Sequence, residues 1–281
     1  MKIYKQGLTH GGTFHADDVF STALLKLVCP EFRYSRILNV PEDVGKEVIV
    51  YDIGRGKYDH HQEGVDVRPI SGIKYAAFGL LWREYGEYFV SHSAARKFDE
   101  SFVQYMDEHD NTGKQNTMAS AISAFNRNWN DPKEFDQDAA FAEAVEFATI
   151  YLRKAISSIE SMDRASEIVE TAYREADQHI FPKIIHLEKF VPWKGVLIKY
   201  PDAGFVVYPS LRGGYSAEAI QKSVSDISSR IPFPKEWRGA DPSMLPDGIT
   251  FCHSSGFLCA ANTRDLAQKA CEKAIRSLKR D

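Results

Sequence analysis

Two short runs of histidine and aspartate near the start of the chain each follow a segment of β-forming residues. The first is Thr9-His10-Gly11-Gly12-Thr13-Phe14-His15-Ala16-Asp17-Asp18. The second is Tyr51-Asp52-Ile53-Gly54, followed by Tyr58-Asp59-His60-His61-Gln62. Together they hold four of the nine histidines. In an open α/β sheet, ligand-binding groups gather beyond the carboxyl ends of the strands. The placement therefore requires a fold in which two strands end side by side and bring both runs to one edge. Imidazoles interleaved with carboxylates form the ligand set of Mn²⁺, Zn²⁺, Fe²⁺ or Mg²⁺. There are more ligands than one tetrahedral ion takes, which points to two ions sharing a carboxylate.

The remaining periodicity fits that frame. Ile3 to Thr9 reads as a first strand. Val19 to Val28 reads as a helix with Val19, Phe20, Ala23, Leu24, Leu27 and Val28 on one face, Asp17 and Asp18 at its N-cap and Pro30 as its stop. Phe32 to Leu38 is a second strand. Glu47 to Tyr51 is nearly continuous in apolar character, the pattern of a central parallel strand buried on both faces. Helices are expected from Ser71 or Gly72 to Tyr85 and from Ser91 or Ser93 to Met106. The latter delivers Asp107-Glu108-His109-Asp110, with Asp107 and Asp110 on one face. Ala139 to Asp177 is a long amphipathic connector. Strands at Ile184–Leu187, Gly195–Lys199, Phe205–Tyr208 and Gly248–Cys252 precede a closing helix, Thr263–Leu278. The expected fold class is α/β: a parallel-sheet domain over 1–135, a helical connector over 136–180 and a smaller α/β domain over 181–281.

Composition narrows the functional classes. Net charge is −4, so no global basic field draws in polyanions, and phosphate recognition must be local or carried by cations. No apolar stretch approaches the roughly 20 residues of a membrane helix. The N-terminus enters patterned sequence at once, from which a cytoplasmic location is expected. Cys29, Cys252, Cys259 and Cys271 form no Cys-x-x-Cys pair, which fits buried thiols rather than a zinc knuckle or disulfide scaffold.

Roles follow from position. His10, His15 and Asp17 supply one half of a dinuclear centre, Asp52 the bridge and His60 an imidazole for the second ion. Asp107 or Asp110 closes the set. Asp59 is placed to orient an imidazole. His61 remains to touch a phosphate or protonate a leaving oxygen. Asp18 is a helix cap, and His92, His109, His179 and His186 read as structural or surface residues. In the C-terminal part, Arg230, Lys235 and Arg238 alternate with Phe233 and Trp237, a pattern able to pair with phosphates and stack bases.

Asp59-His60-His61 resembles the signature of the DHH phosphoesterase superfamily. The first run, Thr-His-x-Gly-Thr-Phe-His-x-Asp, is similar to that of a narrower group, the melanocyte-proliferating-gene-one (Myg) exonuclease family, formerly described as metal-dependent protein hydrolases. Met106–Asn111, Phe125–Asn130, Ser229–Gly239 and Phe251–Phe257 resemble further motifs of that family. The resemblance implies a DHH-type catalytic domain with ligands His10, His15, Asp17, Asp52, His60 and one of Asp107 or Asp110. It implies two divalent ions, Mn²⁺ or Mg²⁺, with Asp52, Asp59 and His61 in the chemistry. It also implies substrate contacts from Arg230, Lys235, Arg238, His253, Ser254, Ser255 and Gly256, with Arg264 in support. The activity implied is 3′–5′ exonucleolytic cleavage of RNA or short oligonucleotides. One departure stands out: where relatives carry a Gly-Gly-His-like turn, this chain has Ala260-Ala261-Asn262. The alternatives are a small-nucleotide or pyrophosphate-type phosphatase and a non-catalytic metal- or nucleotide-binding protein. No His-Glu-x-x-His run supports peptide hydrolysis.

Overall fold

The computed structural model describes residues 2–278. The chain divides into two compact units, Met1–Ser161 and Met162–Asp281, and both are mixed α/β.

In the first unit, strands β1 (Gln6–His10), β2 (Arg33–Ile37) and β3 (Val48–Val50) form a parallel sheet in the order β2-β1-β3. The expected central strand, Glu47–Tyr51, is therefore an edge, and β1 is central. Continuous apolar character misled here because a bridge from Tyr51 to Tyr58 and packing of Ile49 cover that edge. Helix α1 (Ala16–Val28) starts earlier than its apolar face indicates. His15 is its N-cap, and Asp18, three residues into the turn, accepts from the His15 amide at 2.9 Å. Neither Asp17 nor Asp18 is itself the N-cap.

Helix α2 (Ala77–Tyr85) begins well after Ser71, because a remote carboxylate rather than a local serine caps it. Ala77 N and Phe78 N donate to Asp17 at 2.9 and 2.8 Å. Helix α3 (His92–Phe98) is capped by Ser91 and runs through a π-helical turn, Asp99–Val103, into α4 (Gln104–Thr112). Gly113, at φ +73°, stops α4. Helix α5 (Thr117–Ser123) was not expected. The long helix α6 (Gln137–Glu175) spans 39 residues.

In the second unit, β4 (Lys183–His186), β5 (Ala203–Pro209), β6 (Tyr215–Ala219), β7 (Ile249–Cys252) and β8 (Leu258–Ala261) form a mixed sheet in the order β4-β5-β6-β8-β7. Gly195–Lys199, expected as a strand, lies instead in a helical turn, α7 (Lys194–Leu197). Burial of Val196 and Leu197 with Ala165, Val169 and Val206 overrides strand propensity here. Alternate residues of β5 face two cores. Phe205 and Val207 pack with α8 (Arg264–Leu278), whereas Val206 and Tyr208 pack with the α6 end and α7. All four cysteines are buried and free. No helix among the described residues is long and apolar enough to cross a membrane.

Candidate metal centre

His10 is the last residue of β1, and Asp52 stands two residues beyond β3. Adjacent parallel strands thus deliver the two runs to the same edge. Asp52 adopts φ +55°, a left-handed conformation uncommon outside glycine. Such backbone costs on the order of 1 kcal/mol and concentrates at functional sites. Its carboxylate is shared: Oδ2 lies 3.3 Å from His10 Nε2, and Oδ1 lies 3.5 Å from His60 Nδ1 and 3.6 Å from His61 Nδ1.

A second convergence surrounds His60. Its Nε2 lies 2.9 Å from Asp110 Oδ2, and its Nδ1 lies 3.8 Å from Asp17 Oδ2. Asp110 Oδ1 is 4.0 Å from His15 Nδ1, and the His10 and His15 rings are 5.7 Å apart. Three groups present mutually close ligand atoms: Asp17–His60–Asp110, His10–Asp18–Asp52 and Asp52–Asp59–His60–His61.

A cation fits this arrangement. Asp18 Oδ2, Asp52 Oδ1 and His60 Nδ1 are buried without a hydrogen bond, a costly state that ligation relieves. Asp17, Asp18 and Asp52 crowd together with almost no solvent access. Burial, together with the charges of Asp52, Asp110 and Asp107, drives the Asp17 carboxyl well above its ordinary range. Burial lifts Asp18 to about 8 against the opposing pull of His10. Burial alone would lower His10, but its hydrogen bond to Asp52 and the charge of Asp18 outweigh it and hold the ring near 9. The metal-free cluster therefore retains protons that a divalent ion would displace.

Asp107 and Asp110 behave differently. Asp107 accepts from Gly79 N at 3.0 Å and from Arg68 Nη2 at 2.7 Å, while Arg68 also forks onto Asp99. That network occupies both Asp107 oxygens and anchors α2 to α4. Asp110 faces His60, whose hydrogen bond lowers its carboxyl despite the cost of burial. His109 bonds Lys114 O instead.

Asp59 accepts from Arg55 N, His61 N and His61 Nδ1, the last at 2.8 Å. Burial opposes its ionisation, but the amides of His61 and Arg55 prevail and lower it. An ionised Asp59 fixes a proton on His61 Nδ1 and leaves Nε2 as the free nitrogen of a half-exposed ring.

Sequence reasoning singled out Phe125–Asn130 as a motif but missed that Asn126 within it, with Gln137 and Arg36, holds the His10–His15 loop. Asn126 pairs with both backbone groups of Phe14: its Oδ1 accepts from Phe14 N at 3.0 Å, and its Nδ2 donates to Phe14 O at 2.8 Å. Gln137 Nε2 donates to the same Oδ1, and Arg36 donates to Gly12 O and to Asp138. Partners this far apart in sequence leave no local spacing to read.

In the second unit, Arg230 donates to the carbonyls of Ile198, Tyr200 and Ala203. Arg238 Nε donates to Phe233 O at 2.7 Å and packs against the Gly256 turn. That turn sets Gly256 against Arg238 and Ser254 against Gly239, with His253 Nδ1 2.9 Å from Ser255 Oγ. Lys235 is exposed. Phe233 and Trp237 are core residues rather than a stacking surface. Arg264 turns to His186 and Glu188. Ala260 and Ala261 lie within β8, where both pair with β6.

Residues 7–275 match the model of the Uncharacterised protein family (UPF0160), the MYG1 exonuclease model. A MYG1 exonuclease of Homo sapiens is 28% identical over 313 aligned positions, covering 92% of this chain and 82% of that protein. A MYG1 protein of Dictyostelium discoideum is 26% identical over 305, covering 92% of each. A MYG1 protein of Saccharomyces cerevisiae is 24% identical over 327, covering 98% and 96%. No solved structure matches the chain significantly. With a family match that spans both units, the chain belongs to the MYG1 exonuclease family, UPF0160.

Proposed function

We propose that this protein is a metal-dependent phosphodiesterase, a 3′–5′ exonuclease on RNA or short oligonucleotides. The observation that carries the reading is the shared Asp52 carboxylate, one oxygen toward His10 and the other toward His60, beside three unpartnered buried ligand atoms. Relatives named exonucleases at this coverage support the nuclease class.

His10, Asp18 and Asp52, with His15 from the rim, would hold one divalent ion, Mn²⁺ or Mg²⁺. Asp17, His60 and Asp110, with Asp52 beside them, would hold a second. When bound, such ions supply Lewis acidity to a phosphoryl oxygen and bring the pKa of a water near neutrality. The chain's residues do the rest. His10 Nδ1 lies 3.2 Å from Gly11 O, which leaves Nε2 toward Asp18 and Asp52, and the α2 amides fix Asp17. Asp59 fixes the His61 tautomer, so that Nε2 can exchange a proton with the leaving oxygen. Asp107 is assigned to architecture. Arg238, Lys235 and the His253–Gly256 turn are assigned to phosphate contacts, whereas the guanidinium of Arg230 is occupied by carbonyls.

The test is a Mn²⁺-supplemented turnover screen of short RNA, short DNA, pyrophosphate and nucleoside phosphates. Stepwise release of nucleoside monophosphates from the RNA 3′ end is expected. Hydrolysis of pyrophosphate without cleavage of any oligonucleotide would select the small-phosphatase reading, which the net charge of −4 favours. No turnover of any member would reject both.

A further inference from the structure

We infer that Trp129 is a nucleobase-stacking platform at the rim of the His/Asp cluster, an inference that rests on the nuclease reading above. The indole is 97% exposed, whereas Trp82, Trp193 and Trp237 are 3%, 2% and 9% exposed. Leaving the largest apolar side chain fully in water forgoes its burial energy, and Trp129 is the one tryptophan of the four that does so.

The turn is built. Asn128 N donates to Asp131 Oδ2 at 2.7 Å, and Arg127 Nη2 donates to Asp131 O at 3.0 Å. It is also registered to the cluster. Asn126 pairs with both the amide and the carbonyl of Phe14, and the next residue is His15. Three residues span at most about 11 Å of extended chain, so Trp129 stays within that distance of Asn126, Cα to Cα. The platform is thus tied to the loop carrying His10 and His15 through two hydrogen bonds.

The surroundings select the occupant. Arg127, Asn128, Asn130 and Lys133 are all exposed and polar. A protein-binding hot spot sits in an apolar, water-excluding patch, which these neighbours do not provide. An isolated aromatic face among amides and cations suits a base, whose π-face stacks and whose edges hydrogen-bond. Arg127 and Lys133 are offset by Asp131 and Glu134, so affinity here comes from stacking rather than from charge.

The buried state of the other tryptophans makes the test direct. Short oligoadenylate is titrated into the metal-free protein, with intrinsic fluorescence and oligonucleotide anisotropy read together. The platform predicts saturable quenching that is absent in Trp129→Phe and absent with an abasic oligonucleotide of equal length. In turnover with Mn²⁺, Trp129→Ala should raise KM about tenfold with kcat little changed, and Trp129→Phe should retain most of the wild-type KM. Binding by anisotropy without quenching overturns the platform alone. Absence of any oligonucleotide binding overturns the platform together with the reading it rests on. Emission that shifts with protein concentration and no oligonucleotide assigns the indole to a second copy of the chain and overturns the proposal.

Discussion

Asp107 and Asp110 stand one helical turn apart on α4, yet their partners divide their roles. Asp107 is fully buried between Arg68 and the Gly79 amide, and Asp110 meets His60. Removing one partner of a buried, hydrogen-bonded ion pair costs about 3–5 kcal/mol. Asp107→Asn should therefore lower the denaturation midpoint strongly while the folded fraction still takes up Mn²⁺. Asp110→Asn should leave stability of the metal-free protein within about 1 kcal/mol and weaken Mn²⁺ binding at least tenfold, read by calorimetry. The reverse pattern would exchange the two assignments. Sequence spacing put both carboxylates on one face but held no information on Arg68, 39 residues away, which decides between them. The same limit hid the contacts of Arg36 and of Asn126 within the Phe125–Asn130 motif, whereas the convergence of His10, Asp17, Asp52 and His60 was readable because they cluster locally after strands.

At the scale of elements, the amides that open α2 are spent on carboxylates from α1 and α4. Ala77 and Phe78 bind Asp17, and Gly79 binds Asp107. A Cβ at Gly79 would lie 1.8 Å from Asp107 Oδ2 and 2.8 Å from Arg68 Nη2. Gly79→Ala, normally favourable in a helix, should destabilise this protein by roughly 2 kcal/mol or more by forcing that pair apart. A midpoint in urea equal to or above wild type would contradict the close approach. Tertiary capping also explains why the start of α2 was misjudged. In the second unit, β6 and β8 read as Tyr-Ser-Ala-Glu-Ala and Leu-Cys-Ala-Ala, without the β-branched residues that announce strands. Ala217, Ala219 and Ala261 are small because α8 lies against them through Ala267, Ala270 and Ala274. Their identity reflects that packing, which a single-sequence reading of propensity does not contain.

For the molecule as a whole, the cluster couples stability to pH and to cations. His10 is raised from 6.5 to about 9, so its stabilising contribution is full below pH 6.5 and lost as pH rises through 9. Asp18 is raised to about 8, so the folded protein holds more protons than the unfolded chain from about pH 4 to 8, and stability falls across that range. Both contributions have the same sign between pH 6.5 and 8. The Tm of the metal-free protein should decline over that window, and the stabilisation gained from Mn²⁺ should grow, because fewer protons remain to be displaced. A Tm gain from Mn²⁺ that is flat across the window would detach the metal from these groups.

The central claim is tested most directly by metal content and turnover measured on the same samples of wild type, Asp52→Ala and His60→Ala. The account predicts two Mn²⁺ per wild-type chain and release of nucleoside monophosphates from short RNA. It predicts at most one ion and at least about a thousandfold loss of turnover in either variant. Wild-type rates with undiminished metal content in both variants would contradict it.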